Sequence, residues 1–399
     1  MSSNDERSPL LWHSNSPWTP TGYGQQTGLF TPRLNEHYRV GVSSFYGLEG
    51  ARLNSGDIPV YPGLSGDFGN KTLLSNAANH FKGDVRDGLV VTLMDVWVLA
   101  PEIVQSLNAV CWVPVDHDPA PDGVVGFFQR SGAIPIAMSK FGQKQLEEFD
   151  PLYVPHAIDT SLYRPIPRDE ARDRTKLPKD RFIVGMVAAN KGNPSRKCFA
   201  EALLAFKRFH SMNPDAALYL HTEMTGQFQG VDLGKLIKGV GLPEGSVFVA
   251  DQDRVVMNPL GPDAMAHFYS AFDVLLSASA GEGFGIPVLE ANACGVPAIV
   301  TDFSAQPEVC GAGWTVNYSP YWTTQNSWQA HPDVNDIVDA LKQACRMDDR
   351  GRENMARKAR EHALTYDVDT VFTEHMLPAL AEAEKRFAAR EAKPLKVAA

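Results

Sequence analysis

Short apolar runs that alternate with helical patterns constrain what this chain can fold into more than any other feature. The second half shows this most clearly. Residues 182–188 read as a buried strand, and residues 198–209 as a helix with Phe199, Leu203 and Phe206 on one face, ending near Asn213 and Pro214. A strand at 217–221, a helix over Leu233–Val240 stopped by Gly241, a strand at 247–250 and a helix around 264–271 follow. Then come a strand over Val274–Ser277, a glycine-rich turn, a helix over 287–294 and a strand over Ala298–Thr301. Alternation at this spacing predicts an α/β fold, with parallel sheets covered by helices on both faces.

The first half repeats the theme. Strands are expected at 38–45, 89–94, 110–115 and 134–139, and Ser139 as the N-cap of a helix over 139–149. A length of 399 residues, at roughly 150 per domain, argues for two doubly wound domains. Pro155, Pro165 and Pro167 mark the joint, giving a first domain of residues 1–163 and a second of 164–366. A helical segment at 371–390 comes after the second unit is complete, so residues 367–399 are expected to return to the first domain. The ends, 1–8 and 392–399, read as loose.

Charge narrows the use of such a fold. The net charge is −10, which repels a phosphate backbone over most of the surface, so no nucleic-acid partner is expected. With 44% apolar and 21% charged residues the chain has ample material for a buried core, and general disorder is excluded. No apolar run approaches the ~18 residues of a spanning helix, and the opening segment lacks a basic start followed by an apolar stretch. Neither an integral membrane segment nor a secretory leader is expected. Cys111, Cys198, Cys294, Cys310 and Cys345 are scattered and form no C-x-x-C pair. That argues against zinc or a disulfide framework and for a reducing, cytoplasmic setting.

The strongest chemical signal is the run from Gly281 to Gly295. Gly281, Gly283 and Gly285 alternate with Glu282 and Phe284, then Ile286, Pro287 and a helical stretch carry Glu290. Glycine lets backbone N–H groups approach a ligand closely. Pro287 suits the first helical position, and Gly295 the position just past the helix end. A short helix therefore points its positive end at whatever the loop holds, which is most naturally phosphate. Carboxylates repel phosphate, so Glu282 and Glu290 suit sugar or ribose hydroxyls. The competing reading is a strand–helix turn with glycines for packing and two solvated glutamates. Both carboxylates at this spacing weigh against it.

This stretch, with Thr301-Asp302 and Pro307-Glu308 after it, resembles the donor-binding signature of retaining family-four glycosyltransferases with the GT-B fold. Glu282 and Glu290 stand as its two glutamates, with seven residues between them. Weaker resemblance covers nearly the whole chain. It implies two Rossmann-like domains facing a cleft, the second binding a nucleotide sugar. It also implies roles: Glu282 on the donor sugar's hydroxyls, Glu290 on the ribose, and the amides of Phe284, Gly285 and Ile286 on diphosphate and sugar.

A second constellation follows strand 182–188. Lys191, Arg196 and Lys197 lie in one loop, where an open α/β sheet places its ligands. A departing diphosphate needs compensating charge there, and enzymes without a metal use Lys and Arg; a solvated basic loop is the alternative. Lys197 matches the family's lysine. The family's arginine falls at Asn190 or Lys191, or is replaced in space by Arg196, which leaves the second phosphate cation open.

Three further segments complete the reading. The turn Ser16-Pro17-Trp18-Thr19-Pro20-Thr21-Gly22-Tyr23-Gly24 resembles the family's first glycine-rich loop, with Gly22 and Gly24 offering backbone to the donor. Asp116-His117-Asp118 follows strand 110–115. A D-x-D is a manganese signal in the other glycosyltransferase fold, and it is discounted here because it lies far from a nucleotide-binding first strand. In the resembled family a histidine at a comparable place contacts the sugar near the reacting carbon; a buried structural histidine is the alternative for His117. Asp95 either lines the cleft or caps the next turn. The segment 318–332, rich in Tyr and Trp, is either an acceptor-proximal insertion or an aromatic surface loop.

The sequence therefore predicts a metal-independent glycosyltransferase without a cofactor. Glu282 and His117 serve the chemistry, His117 from domain one, and the donor is a UDP-sugar, with GDP as the alternative base. The acceptor is a small molecule, a protein or a lipid. A sugar-nucleotide epimerase or a catalytically silent nucleotide-sugar-binding module of the same fold are the rivals. A dinucleotide oxidoreductase ranks below them, because no G-x-G-x-x-G follows a first strand.

Overall fold

The computed structural model describes residues 7–257 and 259–391. Most of the two ends that read as loose, residues 1–6 and 392–399, lies outside the described residues.

Contacts divide the chain into two compact units. The first runs to Val115, resumes at Pro119–Ala157, and takes the chain again from Val368; the second comprises Asp116–Asp118 and Ile158–Asp367. The first unit holds an eight-stranded sheet. Its strands are β1 (Pro9–Asn15), β2 (Arg39–Tyr46), β3 (Leu53–Ser55), β4 (Ile58–Tyr61), β5 (Leu89–Leu93), β6 (Asn108–Val113), β7 (Ile134–Ala137) and β8 (Leu152–Tyr153). They lie in the order β3-β4-β2-β1-β5-β6-β7-β8, parallel except for the β3–β4 hairpin. The expected strands match β2, β5, β6 and β7 within a few residues; β1, β3, β4 and β8 come in addition.

Strand β1 departs from the pattern of an apolar core strand. Its carboxyl-terminal half is His13, Ser14 and Asn15, all buried. Each is tied to a neighbour: the His13 ring to Ser43 and to the Phe68 carbonyl, Ser14 Oγ to the Leu93 carbonyl at 2.8 Å, and Asn15 to Thr21. Burial pushes the His13 imidazole down to about 4, so it is neutral at physiological pH. Ser139 is the N-cap its sequence predicts: its Oγ accepts from Gly142 N–H at 2.9 Å and starts the helix Lys140–Gln145.

The returning segment behaves as expected. The helix Leu377–Glu391 lies in the first unit, preceded by a π-turn over Phe372–Met376. Arg386 reaches Asp150, through its carbonyl at 2.8 Å and its carboxylate at 3.0 Å, and Arg390 donates to the Gly132 carbonyl. Leu380 and Ala383 are fully buried.

The second unit holds six strands, β9 (Phe182–Val187), β10 (Ala216–His221), β11 (Val247–Val249), β12 (Val274–Ser277), β13 (Ala298–Thr301) and β14 (Gly313–Val316). All are parallel, in the order β11-β10-β9-β12-β13-β14. The sequence predicts the first five closely, because strands buried on both faces read as continuous apolar runs. The helix Phe199–Met212 packs Phe199, Leu203, Phe206 and Phe209 onto Val184, Leu218 and Leu276.

This strand order reverses direction between β9 and β12. Ligands of open α/β sheets bind outside the carboxyl ends of the strands at such a point. The loops after β9 and β12 are the two that the sequence singles out, the cation loop and the glycine loop. The predicted boundary after residue 163 compares with a contact boundary at Ala157/Ile158. Residues 116–118, expected in the first domain, group with the second unit.

Candidate active site

The two loops are stitched together by backbone. Ala280 N–H donates to the Arg196 carbonyl at 2.8 Å, and the Arg196 guanidinium returns a bond to the Gly281 carbonyl. The Cys198 N–H donates to the Ser195 carbonyl, and Cys198, at φ +50°, leads into the helix Phe199–Met212. Arg196 and Lys197 are thereby presented just before that helix.

Both cations converge on Glu282. Lys197 Nζ lies 2.5 Å from one carboxylate oxygen, and Arg196 Nη1 lies 2.9 Å from the other. Glu282 is buried, and its own N–H donates to Ser304 Oγ at 2.8 Å. Burial alone would raise the Glu282 pKa. Lys197 and Arg196 outweigh it and hold the carboxyl at about 2 against an ordinary 4.5. Burial lowers the Lys197 pKa, a pull that Glu282 opposes. A carboxylate whose pKa falls on folding contributes stability that is complete above the unfolded value of about 4.5 and is lost as pH falls towards 2. The difference in urea midpoint between the parent and Glu282→Gln should therefore be full at neutral pH. It should shrink steadily below pH about 4.5; a difference independent of pH down to 2 would contradict the ion pairing.

Asp116 joins this cluster. Its carboxylate accepts from His117 Nδ1 at 2.7 Å and lies 3.6 Å from Arg196 Nε. Burial raises the Asp116 pKa, but the His117 bond and the Arg196 charge leave it below the usual value. His117 is buried at 4% exposure, its Nδ1 directed to Asp116. Gly281 makes the approach possible: a Cβ there would stand 2.3 Å from the Asp116 carbonyl oxygen. The D-x-D pattern is thus divided in its duties. Asp116 faces His117 and Arg196, while Asp118 pairs through its backbone with Trp328 at 3.1 and 2.8 Å. Among the described residues no group of three or more His, Cys, Asp or Glu is arranged to hold a metal ion.

Glu290 sits in the helix Ile286–Ala293, buried, and accepts from the Tyr269 hydroxyl at 2.6 Å. Burial, and then the Glu290 charge, push the Tyr269 phenol well up, so it stays protonated as the donor. Gly285 is the N-cap at φ +111°, and Ile286 is the first helical residue, so Pro287 stands second and not first. A glycine N-cap has no side chain to satisfy first-turn N–H groups, which keeps that helix end suited to an anion. Gly295, at φ +77°, ends the helix as its sequence predicts. Phe284 packs edge-on against Tyr366, with centroids 5.8 Å apart.

The remaining candidates separate. Lys191 is exposed and stands apart from the Glu282 cluster. Asn190 is buried and clamps the chain through Glu223 O, Val231 O and Val231 N, which makes it a structural residue. Arg196 is the cation that joins Lys197 on Glu282. Gly22 and Gly24 lie in the first turn of the helix Gly22–Leu34, not in an open loop. The Gly24 N–H is taken by Thr21 Oγ1 at 3.0 Å, and a Cβ there would meet Thr19 at 2.1 Å; packing explains this glycine. Asp95 accepts from the Tyr23 hydroxyl at 3.4 Å. The segment 318–332 is an antiparallel hairpin of β15 (Tyr318–Trp322) and β16 (Trp328–Pro332).

Sequence reasoning missed several supports. Gln306 is fully buried and bridges the ends of β12 and β13, accepting from Ser279 N–H at 3.1 Å and donating to the Ser279 carbonyl at 3.0 Å. Ser304 and Tyr269 fix the two glutamates. Nothing in their local sequence marks them, since each acts on a residue distant in the chain.

Residues 252–362 match the sequence model of Glycosyl transferases group 1. That segment includes Glu282 and Glu290 but not Arg196 or Lys197. An uncharacterised glycosyltransferase of Sulfolobus islandicus rod-shaped virus 1 is 25% identical over 60% of this chain and 70% of its own length. The lipopolysaccharide core biosynthesis mannosyltransferase LpsB of Rhizobium meliloti is 26% identical over 40% of this chain and 42% of its length. The D-inositol 3-phosphate glycosyltransferase of an Arthrobacter species is 29% identical over 39% and 34%. The latter two alignments thus span less than half of the relative. Among solved structures, sucrose-phosphate synthase of Thermosynechococcus elongatus superposes with a TM-score of 0.67 at 16% identity, over 97% of this chain and 100% of that one. Anabaena HepE, solved with UDP-glucose, gives 0.67 at 15% over 94% and 99%. The fold is GT-B.

Proposed function

We propose that the protein transfers a glycosyl residue from a nucleotide sugar to an acceptor hydroxyl, with retention at the anomeric carbon and without a metal ion. The observation that carries this reading is the meeting of Arg196, Lys197 and Glu282 at the switch point, beside the helix that bears Glu290. Two cations and an uncapped helix end suit a diphosphate. Two buried carboxylates suit hydroxyl groups. The family-model match across residues 252–362, which hold both glutamates, and the glycosyltransferase relatives support the reading, and UDP is the favoured base because the similarly folded Anabaena protein was solved with UDP-glucose; GDP is the alternative. In this reading residues 164–366 bind the donor, and residues 1–163 with 367–399 serve the acceptor side. The setting is cytoplasmic. No helix among the described residues is long and apolar enough to cross a membrane.

The chemistry is a front-face substitution. The bond from the anomeric carbon to the diphosphate oxygen breaks, and the acceptor oxygen bonds to that carbon on the same face. The acceptor proton passes to the departing diphosphate. Arg196 and Lys197 carry the charge that develops on that leaving group, exchanging their contacts with Glu282 for contacts with phosphate. Glu282 then meets the sugar, and His117, oriented by Asp116, meets it near the reacting carbon. No side chain is needed as a general base. Epimerase activity and a silent binding module lack any comparable support.

The test is incubation with a panel of nucleotide sugars and acceptors, with and without EDTA. Release of nucleoside diphosphate is followed, and the product anomer is read by NMR. Retention and survival in EDTA are expected; inversion, or a loss on chelation restored by manganese, would overturn the corresponding part. Glu290→Gln should weaken nucleoside diphosphate binding by about 1.5–3 kcal/mol, the scale of a hydrogen bond to a charged group. The amide can still accept from Tyr269, so the fold is kept. Unchanged affinity by calorimetry would remove Glu290 from the ribose.

A further inference from the structure

We propose that the β15–β16 hairpin is a positioning element for His117: the outer edge of β16 fastens the Asp116–Asp118 segment to the glycine loop, so that His117 and Glu282 stand on one frame before a sugar arrives. This rests on the glycosyltransferase reading and gives the hairpin a part in that reaction.

Facing residues of an antiparallel pair alternate between those that exchange both backbone bonds and those whose N–H and C=O point away from the partner strand. The Thr323 N–H donates to the Ser327 carbonyl at 2.9 Å, which closes the turn. The next pair, Trp322 with Trp328, is therefore of the outward kind, and so is Pro320 with Ala330. That outer edge of β16 is paired. The Trp328 N–H donates to the Asp118 carbonyl at 2.8 Å, and the Trp328 carbonyl accepts from the Asp118 N–H at 3.1 Å, an antiparallel bridge. Further along the strand, the Ala330 N–H donates to the Ala280 carbonyl at 2.9 Å, and the Ala280 N–H donates in turn to the Arg196 carbonyl at 2.8 Å. One strand edge thus joins the segment of His117 to the loop of Glu282, and through it to the cation loop.

Side chains reinforce the same junction. Tyr321, Gln329 and His331 share the face of the hairpin turned towards these loops. Gln329 is buried, and its Oε1 accepts from the Tyr321 hydroxyl at 2.8 Å. A Cβ on Gly281 would stand 3.2 Å from Gln329 Nε2 and 2.3 Å from the Asp116 carbonyl oxygen, so Gly281 lies between the hairpin and the His117 segment. His331 Nδ1 lies 3.7 Å from Glu201, in the helix that follows Lys197. Trp322 and Trp328 occupy the opposite face and meet edge to face, centroids 4.9 Å apart. A two-stranded hairpin is marginal on its own, and a cross-strand aromatic pair of this kind stiffens it.

These bonds account for an oddity of the chain's division. Asp116–Asp118 belong to the second unit although Val115 and Pro119, on either side, belong to the first. Both backbone groups of Asp118 are committed to Trp328. The imidazole of His117 is oriented by Asp116 at 2.7 Å, Asp116 stands 3.6 Å from Arg196, and the main chain is held one residue further on by β16. His117 is thereby fixed from both sides to the unit that carries Glu282. A group that meets the transition state acts through its placement, and an error of about 1 Å can cost about 10²-fold in rate. The hairpin itself touches no reacting atom in this scheme; it acts through His117.

The experiment uses the full chain with UDP-glucose, UDP-galactose and GDP-mannose as probes, water serving as the acceptor, and follows release of nucleoside diphosphate. Trp328→Pro removes the N–H that Asp118 accepts but no bond between the two hairpin strands; Trp328→Ala keeps that N–H. Trp328→Pro should lower kcat about tenfold or more, with KM and UDP affinity within about twofold of the parent. Trp328→Ala should lower kcat far less. Added to His117→Ala, Trp328→Pro should cost nothing further, because the two act through one group. Hydrogen exchange of the parent without substrate, read by mass spectrometry, should show the Asp118 and Trp328 amides protected, and exchange around Asp118 should quicken in Trp328→Pro. Parental kcat in Trp328→Pro, an equal fall in Trp328→Ala, losses that add in the double variant, or unprotected amides in the parent would each overturn the positioning role. The parent's exchange decides the point even where the proline variant does not fold. Release of nucleoside diphosphate from none of the three donors by the parent would defeat the transferase reading instead, since protection is read without substrate.

Discussion

Glu282→Ala is expected to lower kcat by about 10²-fold or more, the scale of losing one positioned electrostatic contact. Nucleoside diphosphate should bind the variant at least as well as it binds the parent. In the structure Glu282 is the counter-ion of Lys197 and Arg196. Deleting it leaves both cations in place to be neutralised by phosphate, and the phosphate no longer competes with a carboxylate for them. Charge at the anomeric carbon develops only in the transition state, so groups that meet the sugar affect turnover more than nucleotide affinity. His117→Ala should show the same split. Asp116→Asn should lower kcat less than His117→Ala does, since the amide oxygen can still accept from His117 Nδ1 while the charge beside Arg196 is gone. Lys197→Ala should weaken nucleoside diphosphate binding itself. Steady-state kinetics and calorimetry on the four variants decide the matter. A Glu282→Ala protein that loses nucleotide affinity as severely as Lys197→Ala, yet keeps turnover at saturation, would make Glu282 a nucleotide ligand.

The six-stranded sheet was legible because its strands are short apolar runs and its helices carry stop signals. Leu233–Val240 ends at Gly241, which adopts φ +74°. Strand β1 was not legible as a strand, since half of its buried side chains are polar. Only tertiary partners such as Ser43 and the Leu93 carbonyl make that half stable inside. The hairpin of β15 and β16 was seen only as an aromatic segment, because Pro320 and a polar turn obscure its alternation. At the site, residue type and position beside a glycine turn pointed to Glu282 and Lys197. That Arg196 rather than Lys191 meets Glu282 beside Lys197 needed three dimensions, as did the grouping of Asp116 and His117 with the second unit, because those partners are set by strand order. Gly24 adds a packing reason that its sequence did not reveal, because the Thr19 and Thr21 side chains stand against it.

Asp273→Ala is expected to destabilise the protein by about 3–5 kcal/mol, the cost of leaving a buried charge without its partner. Asp273 is 3% exposed and pairs with Arg172, 2% exposed, at 2.8 Å. It also accepts from Ile183 N–H at 2.7 Å and from Arg168 at 3.0 Å. Ile183 is the second residue of β9 and Asp273 immediately precedes β12, so this one carboxylate joins the starts of the two strands whose far ends lead into the loops that carry Lys197 and Glu282. Many buried ion pairs can be replaced by apolar residues at little cost. This one differs, because Arg172 also donates to the carbonyls of Ala271, Lys179 and Arg181. A double Arg172→Met, Asp273→Leu variant removes both charges but leaves three carbonyls and the Ile183 N–H without these partners, and each buried polar group left so costs about 1–3 kcal/mol. The double variant should therefore be no more stable than Asp273→Ala. Urea unfolding measures both, and kcat per folded molecule should match the parent at low temperature because no group at the site has changed. Recovery of parental stability in the double variant would show that the pair itself, rather than its backbone bonds, holds the two strand starts together.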